Sequence, residues 1–261
     1  MIVQTPGVYI SERNNIPASI AGVSTAVPVF IGFTEKPQPS AIRISSMMDF
    51  ETHFGGVYSP SFTVDVNGTS NSVDSVIPDK RFFLYDTIHL YFRNGGGPCH
   101  IICAERYENV TKNNLAGLID DQLSAIDLLD EATLVLIPDL HVQYADGTAP
   151  NGIGSLSVSG DYKSIASAVI TKCAALKDKF SIFDYLRHDS SALEVRTAMS
   201  PALLDDLKYG AVYYPWLQNG YSHDLAYDQL SLNNSSGSVH ETDLNNLISD
   251  LNALVAAFGG N

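Results

Sequence analysis

Cys99, His100 and Cys103 are the residues that most suggest chemistry, because thiolate and imidazole are the usual ligands of a zinc ion. Around them the chain reads HIICAE, an apolar strand whose side chains alternate between two faces. Cys99 and Cys103 then share one face and His100 takes the other, so the three cannot converge on one ion, and thiols packed as small apolar groups are expected. His53, His89, His141, His188, His223 and His240 are scattered, with no Glu at metalloprotease spacing, and no Gly-x-Ser-x-Gly elbow is present. Asp139 ends the apolar run TLVLIP, where α/β enzymes often place a carboxylate, but a turn or helix cap accounts for an Asp there equally well. The pairs Asp120-Asp121 and Asp205-Asp206 read as solvated helix faces, since adjacent helical residues point apart. Gly95-Gly96-Gly97 lacks the Lys-Ser or Lys-Thr of a phosphate loop and reads as a helix terminator, and Gly152 and Gly154 lack the third glycine of a dinucleotide fingerprint, where Ser157 stands. No catalytic, cofactor-binding or metal site is therefore expected, and no cofactor.

The elements that would carry these residues alternate. An extended arm over residues 1–20, interrupted by Pro6, Gly7 and Pro17, precedes the buried strand TAVPVFIGFT, with Pro28 near its start or edge. Ser46 and Asp49 predict a capped short helix carrying Phe50 and Phe54 and stopped by Gly55. Residues 57–79, with Asn67-Gly68 between alternating runs, predict a β-hairpin or loop insertion. Leu84, Tyr85, Ile88, Tyr91 and Phe92 mark the next helix; Leu115, Leu118, Ile119, Gln122, Ile126 and Leu129 mark another; Asp161 is placed to cap a third that carries Ile165, Val169, Cys173 and Leu176. The runs TLVLIP, FSIFD and YGAVYYPW predict strands, with a short helix near 191–199 between the last two. The expected fold is α/β: a mostly parallel sheet flanked by helices, with an arm at 1–20 and one domain over 21–261. At the end of the chain Leu244, Leu247, Ile248, Leu251, Leu254, Val255 and Phe258 form a single helical stripe that needs a covering surface.

Composition bounds the partners. With 15 Lys and Arg against 29 Asp and Glu, the formal charge of -14 repels phosphate backbones, so no nucleic-acid partner is expected. From Tyr221 onward the chain has acids and no Lys or Arg. No apolar run is long enough for a membrane helix, so no membrane insertion is expected. Three cysteines suit free thiols in a reducing compartment, read as a bacterial cytoplasm.

Pro6-Gly7-Val8-Tyr9-Ile10, then Ile20 to Thr25, then Val29-Phe30-Ile31-Gly32, resembles the opening of contractile phage tail sheath proteins, the family found in phage tails, R-type bacteriocins and phage-like injection systems. Ser46 to Phe50, Phe54-Gly55-Gly56, Tyr85, Phe92, Asn94 to Gly97 with Cys99, Ile137-Pro138-Asp139 and Tyr213 to Trp216 follow in that family's order, covering roughly residues 5–217. The resemblance implies a subunit stacked in helical rows with other copies of itself around an inner tube, assembled in the cytoplasm and then part of a virion tail or released particle. It also implies that the arm, through Pro6, Gly7, Val8, Tyr9 and Ile10, adds a strand to neighbouring subunits, for which that β-prone segment is chemically suited. The family's C-terminal domain, with its Pro-Ser-Gly and Ala-Gly-Val-Tyr stretches, is not found, so contacts with the inner tube protein and baseplate are expected through a region this chain lacks. A fragment of a longer subunit is the expectation; the alternatives are a short paralogue capping the sheath or joining it to the baseplate, and an α/β enzyme using Asp139 or the glycine turns.

Overall fold

The computed structural model describes residues 26–67, 72–111, 113–145, 153–154, 161–185, 204–213 and 229–234. The arm, the helix near 191–199, Tyr214 to Trp216 and the stripe at 244–258 lie outside them.

β1 (Pro28–Thr34) is buried along its whole length and opens on Pro28, the position where a missing N–H is tolerated. β2 (Ile42–Ile44) leads to α1 (Met47–Phe54), whose N-terminus is capped as expected: the Ser46 side chain accepts from the Asp49 amide. The Asp49 carboxylate reaches one residue further back than in a capping box, to the Ser45 amide and hydroxyl. The insertion is a hairpin, β3 (Phe62–Asn67) against β4 (Ser72–Pro78), antiparallel. β5 (Lys80–Arg81) and α2 (Leu84–Arg93) precede β6 (Cys99–Arg106).

The helix expected over 115–129 is two pieces: α3 (Leu115–Asp120) and a 3-10 segment at Leu123–Leu128. Its buried residues are Leu115, Ile119, Leu123 and Ile126; the last two are three apart, which suits the tighter period of the 3-10 form. β7 (Leu134–Leu136), β8 (Gln143–Ala145) and β9 (Ile153–Gly154) come next, then α4 (Asp161–Leu176), in which Asp161 is the first helical residue and not the one before it. β10 (Phe180–Asp184), β11 (Gly210–Tyr213) and β12 (Leu230–Asn234) complete the described elements.

The main sheet runs β11-β10-β7-β1-β6-β2, with every neighbouring pair parallel except β2 with β6. Numbered along the chain, its parallel strands lie in the order 2-1-3-4-5, a doubly wound arrangement whose connections reverse direction between β1 and β7. Both faces are covered. Phe30, Ile101, Cys99 and Cys103 pack under α1 and α2 with Phe50, Phe54, Leu84 and Ile88. Val29, Ile31, Phe33, Ile102 and Val135 pack on the other side with Leu115, Ile119, Ile165 and Val169. Burial on two faces is why β1 and β6 read as continuous apolar runs. Two smaller sheets lie beside this one: β12-β3-β4, where β12 joins the hairpin in parallel, and β5-β8-β9.

Candidate functional site

In a doubly wound sheet the ligand crevice opens at the carboxyl ends of the strands, where the connections reverse. Here that point lies between the ends of β1 and β7, and Asp139 stands at it, in a 3-10 turn at Pro138–His141. The carboxylate is fully buried. Oδ2 accepts from the Phe33 amide of β1 at 2.7 Å; Oδ1 accepts from the amides of Phe83 at 2.6 Å and Leu84 at 3.0 Å. Phe83 is the residue at the N-cap of α2 and offers no side-chain cap of its own, so a carboxylate from another element satisfies the first orphan donors of that helix. Gly32 makes the approach possible, because a Cβ there would lie 2.5 Å from Asp139 Oδ2 and 3.0 Å from Leu84 Cβ.

Burial pushes the Asp139 carboxyl up to about 6, and the nearby Asp86 adds to the push, while the three amide donors pull the other way. A carboxylate with both oxygens engaged by backbone donors and no exposure has no face left for a substrate. The crevice position that an α/β enzyme would use is occupied here by a strut joining β1, β7 and α2.

His100 and the two cysteines separate as their alternation requires. Cys99 and Cys103 lie in the core under α1 and α2; His100 Nε2 lies 3.2 Å from Glu131 Oε1, the oxygen that also accepts from Arg43 Nε at 2.7 Å. Burial raises all three thiols, Cys99 to about 12 and Cys173 to about 11, so they rest protonated and poorly suited to metal or nucleophilic work. Among the described residues no group of three or more His, Cys, Asp and Glu side chains could hold a metal ion.

The glycines serve the backbone. After α2, the Gly95 amide donates to Phe92 O and the Gly96 amide to Tyr91 O, with Gly95 at φ 82: the paired bonds of a Schellman ending. Gly154 belongs to β9 in an antiparallel pair, which is not the strand-turn-helix setting of a dinucleotide site. Asp120 and Asp121 are exposed, as expected of a solvated face. Pro6 to Ile10 lie outside the described residues.

Sequence reasoning missed Lys179. The residue is 4% exposed, and Nζ donates to Leu129 O at 2.9 Å and Ala132 O at 3.0 Å while lying 3.3 Å from Asp178. It closes the end of the 3-10 segment ahead of β7, and a lysine beside an aspartate just before a strand gives no signal of that role.

Comparison with protein-family models and with curated proteins finds no match. Among solved structures the chain is similar to the helical sheath of the anti-feeding prophage (AFP) in its contracted state, at 22% identity and a TM-score of 0.43, covering 84% of this chain and 48% of that one. It is also similar to the AFP baseplate, at 24% identity and a TM-score of 0.41, covering 83% of this chain and 48% of that one. The chain thus spans about half the length of these two solved chains, one from the helical sheath and the other from the baseplate of the same contractile particle.

Proposed function

We propose that this chain is a structural subunit of a contractile sheath, part of a phage tail or a phage-like injection particle, and that it assembles in helical rows with copies of itself and performs no catalysis. The observation that carries the reading is the ordered series of sheath-like motifs over residues 5–217. Their described members have architectural roles of the kind an assembly protein needs. Val29 to Gly32 lie in the central strand, Phe54 and Gly55 end α1, Asn94 to Gly96 end α2, and Asp139 joins three elements. The engagement of Asp139 also removes the main argument for an enzyme.

Assembly on this reading runs through the arm, residues 1–20. Pro6-Gly7 sets off Val8, Tyr9 and Ile10 as an extended segment that adds a strand to the sheet of a neighbouring subunit. The inner tube and baseplate are further partners on this reading; assembly takes place in the bacterial cytoplasm, and the product is a tail or released particle.

The test is electron microscopy with sedimentation of the chain, and of the whole product of its gene, at high concentration, each with and without residues 1–20. Tubes from the whole product that vanish on arm deletion are the expected result. Monodisperse monomers in every sample would overturn the proposal, and binding to one end only of assembled particles would replace it with a cap or junction role.

A further inference from the structure

β3 is the central strand of the small sheet β12-β3-β4, and its two edges are filled differently. On one side lies β4, the other half of the same hairpin. On the other lies β12, 168 residues further along the chain, which pairs in parallel from Leu230 with Phe62 to Asn234 with Val66. It follows β11, the edge strand of the main sheet, and among the described residues it has no strand neighbour besides β3.

The hold on β12 is shallow. Leu230 is half-buried and Ser231 exposed. Two side-chain bonds accompany the ladder, from Gln229 to the Ser59 hydroxyl and from the Ser231 hydroxyl to Phe62 O at 3.2 Å, and both lie at the surface. β12 reads LSLNN, without a charge that would repel a like strand. Without it β3, with the β-branched Thr63, Val64 and Val66, is a bare edge of unpaired amides and carbonyls.

The strand that fits this edge is β12, and a second copy offers the same one: every bond of the pairing is remade and only the connection changes. That connection, residues 214–228, can span about 50 Å when extended, so β12 can leave its own hairpin while β11 stays in the main sheet. A tether of this order holds a strand near its own acceptor at about millimolar effective concentration, which crowded copies can match.

We propose that the β12 side of β3 is an acceptor site for a second copy of this chain, whose β12 pairs there in the same register. The exchange uses neither the arm at 1–20 nor the sheath reading: it would join copies whatever particle they belong to, and its failure leaves that reading standing.

The experiment is disulfide trapping in the full chain. Thr63 and Ser231 are ladder partners and both exposed, and the native Cys99, Cys103 and Cys173 are buried. Thr63→Cys and Ser231→Cys, made as separate single variants, are mixed and mildly oxidised; a mixed covalent dimer needs β12 of one copy at β3 of the other. Its yield should rise several-fold between about 0.1 and about 1 mM protein, the range set by that effective concentration. A control mixing Ser231→Cys with Met48→Cys, an exposed position on α1, should stay reduced. The double variant Thr63→Cys with Ser231→Cys, in dilute solution, should close within one chain with the loss of two hydrogens, which reports the pairing itself. Closure without mixed dimers at any concentration keeps β12 in its own chain and overturns the proposal. Mixed dimers no more abundant than in the control, or neither product, overturn it too. Asp65→Cys with Asn233→Cys, the next ladder pair on that face, repeats the test if a first variant loses its circular dichroism.

Discussion

Asp139 and Gly32 work as a pair, and each predicts a measurable loss. Asp139→Asn keeps the shape but turns an acceptor into a donor facing an amide, and should cost roughly 1–3 kcal/mol in urea denaturation. The charge has a pH signature too. The folded carboxyl titrates at about 6, above the ordinary 3.8, so the folded state holds this proton more tightly than the unfolded one. The contribution of Asp139 to stability is therefore greatest below about pH 4, falls as pH rises to 6 and is flat above it, a span of roughly 2–3 kcal/mol. The difference in stability between wild type and Asp139→Asn, measured from pH 4 to 7.5, should carry that slope, and a difference constant with pH contradicts it. Gly32→Ala places a methyl carbon against both Asp139 and Leu84 and should destabilise by about 1–3 kcal/mol through overpacking.

At the level of elements, the end of α2 separates two reasons for glycine. Gly95 has φ 82 and open space around it, so Gly95→Ala pays only for backbone conformation and should cost about 1 kcal/mol. Gly97 has neither constraint, and Gly97→Ala should leave the thermal midpoint unchanged. The 3-10 segment before β7 depends on Lys179. Lys179→Met removes the donor from two carbonyls in a buried place, and a loss of about 1–3 kcal/mol in chemical denaturation is expected. Helices closed by their own neighbours, such as α1 with Ser46 and Gly55, were legible in the sequence because cap and stop are local. The N-terminus of α2 was not, since Phe83 gives no capping signal and the acceptor lies 56 residues further along the chain.

For the whole molecule, the buried thiols report on the integrity of the two-faced core. Cys99, Cys103 and Cys173 should resist a thiol reagent in native buffer and react together as denaturant unfolds the chain; fast labelling of any one in native buffer would show that its part of the core opens separately. The α/β class and most described strands and helices followed from the sequence by itself, because apolar period, caps and turn residues act over a few neighbours, whereas residues 57–79 read equally as a hairpin or a loop until β3 and β4 were seen to pair. So did the separation of His100 from the two cysteines, which strand alternation alone dictates. The strand order and the partners of Asp139 were decided only by the tertiary structure. Nothing local says which strands become neighbours, and a carboxylate at a strand end reads alike as catalyst or cap until the amides that meet it are brought from β1 and α2 by the packing of the two layers.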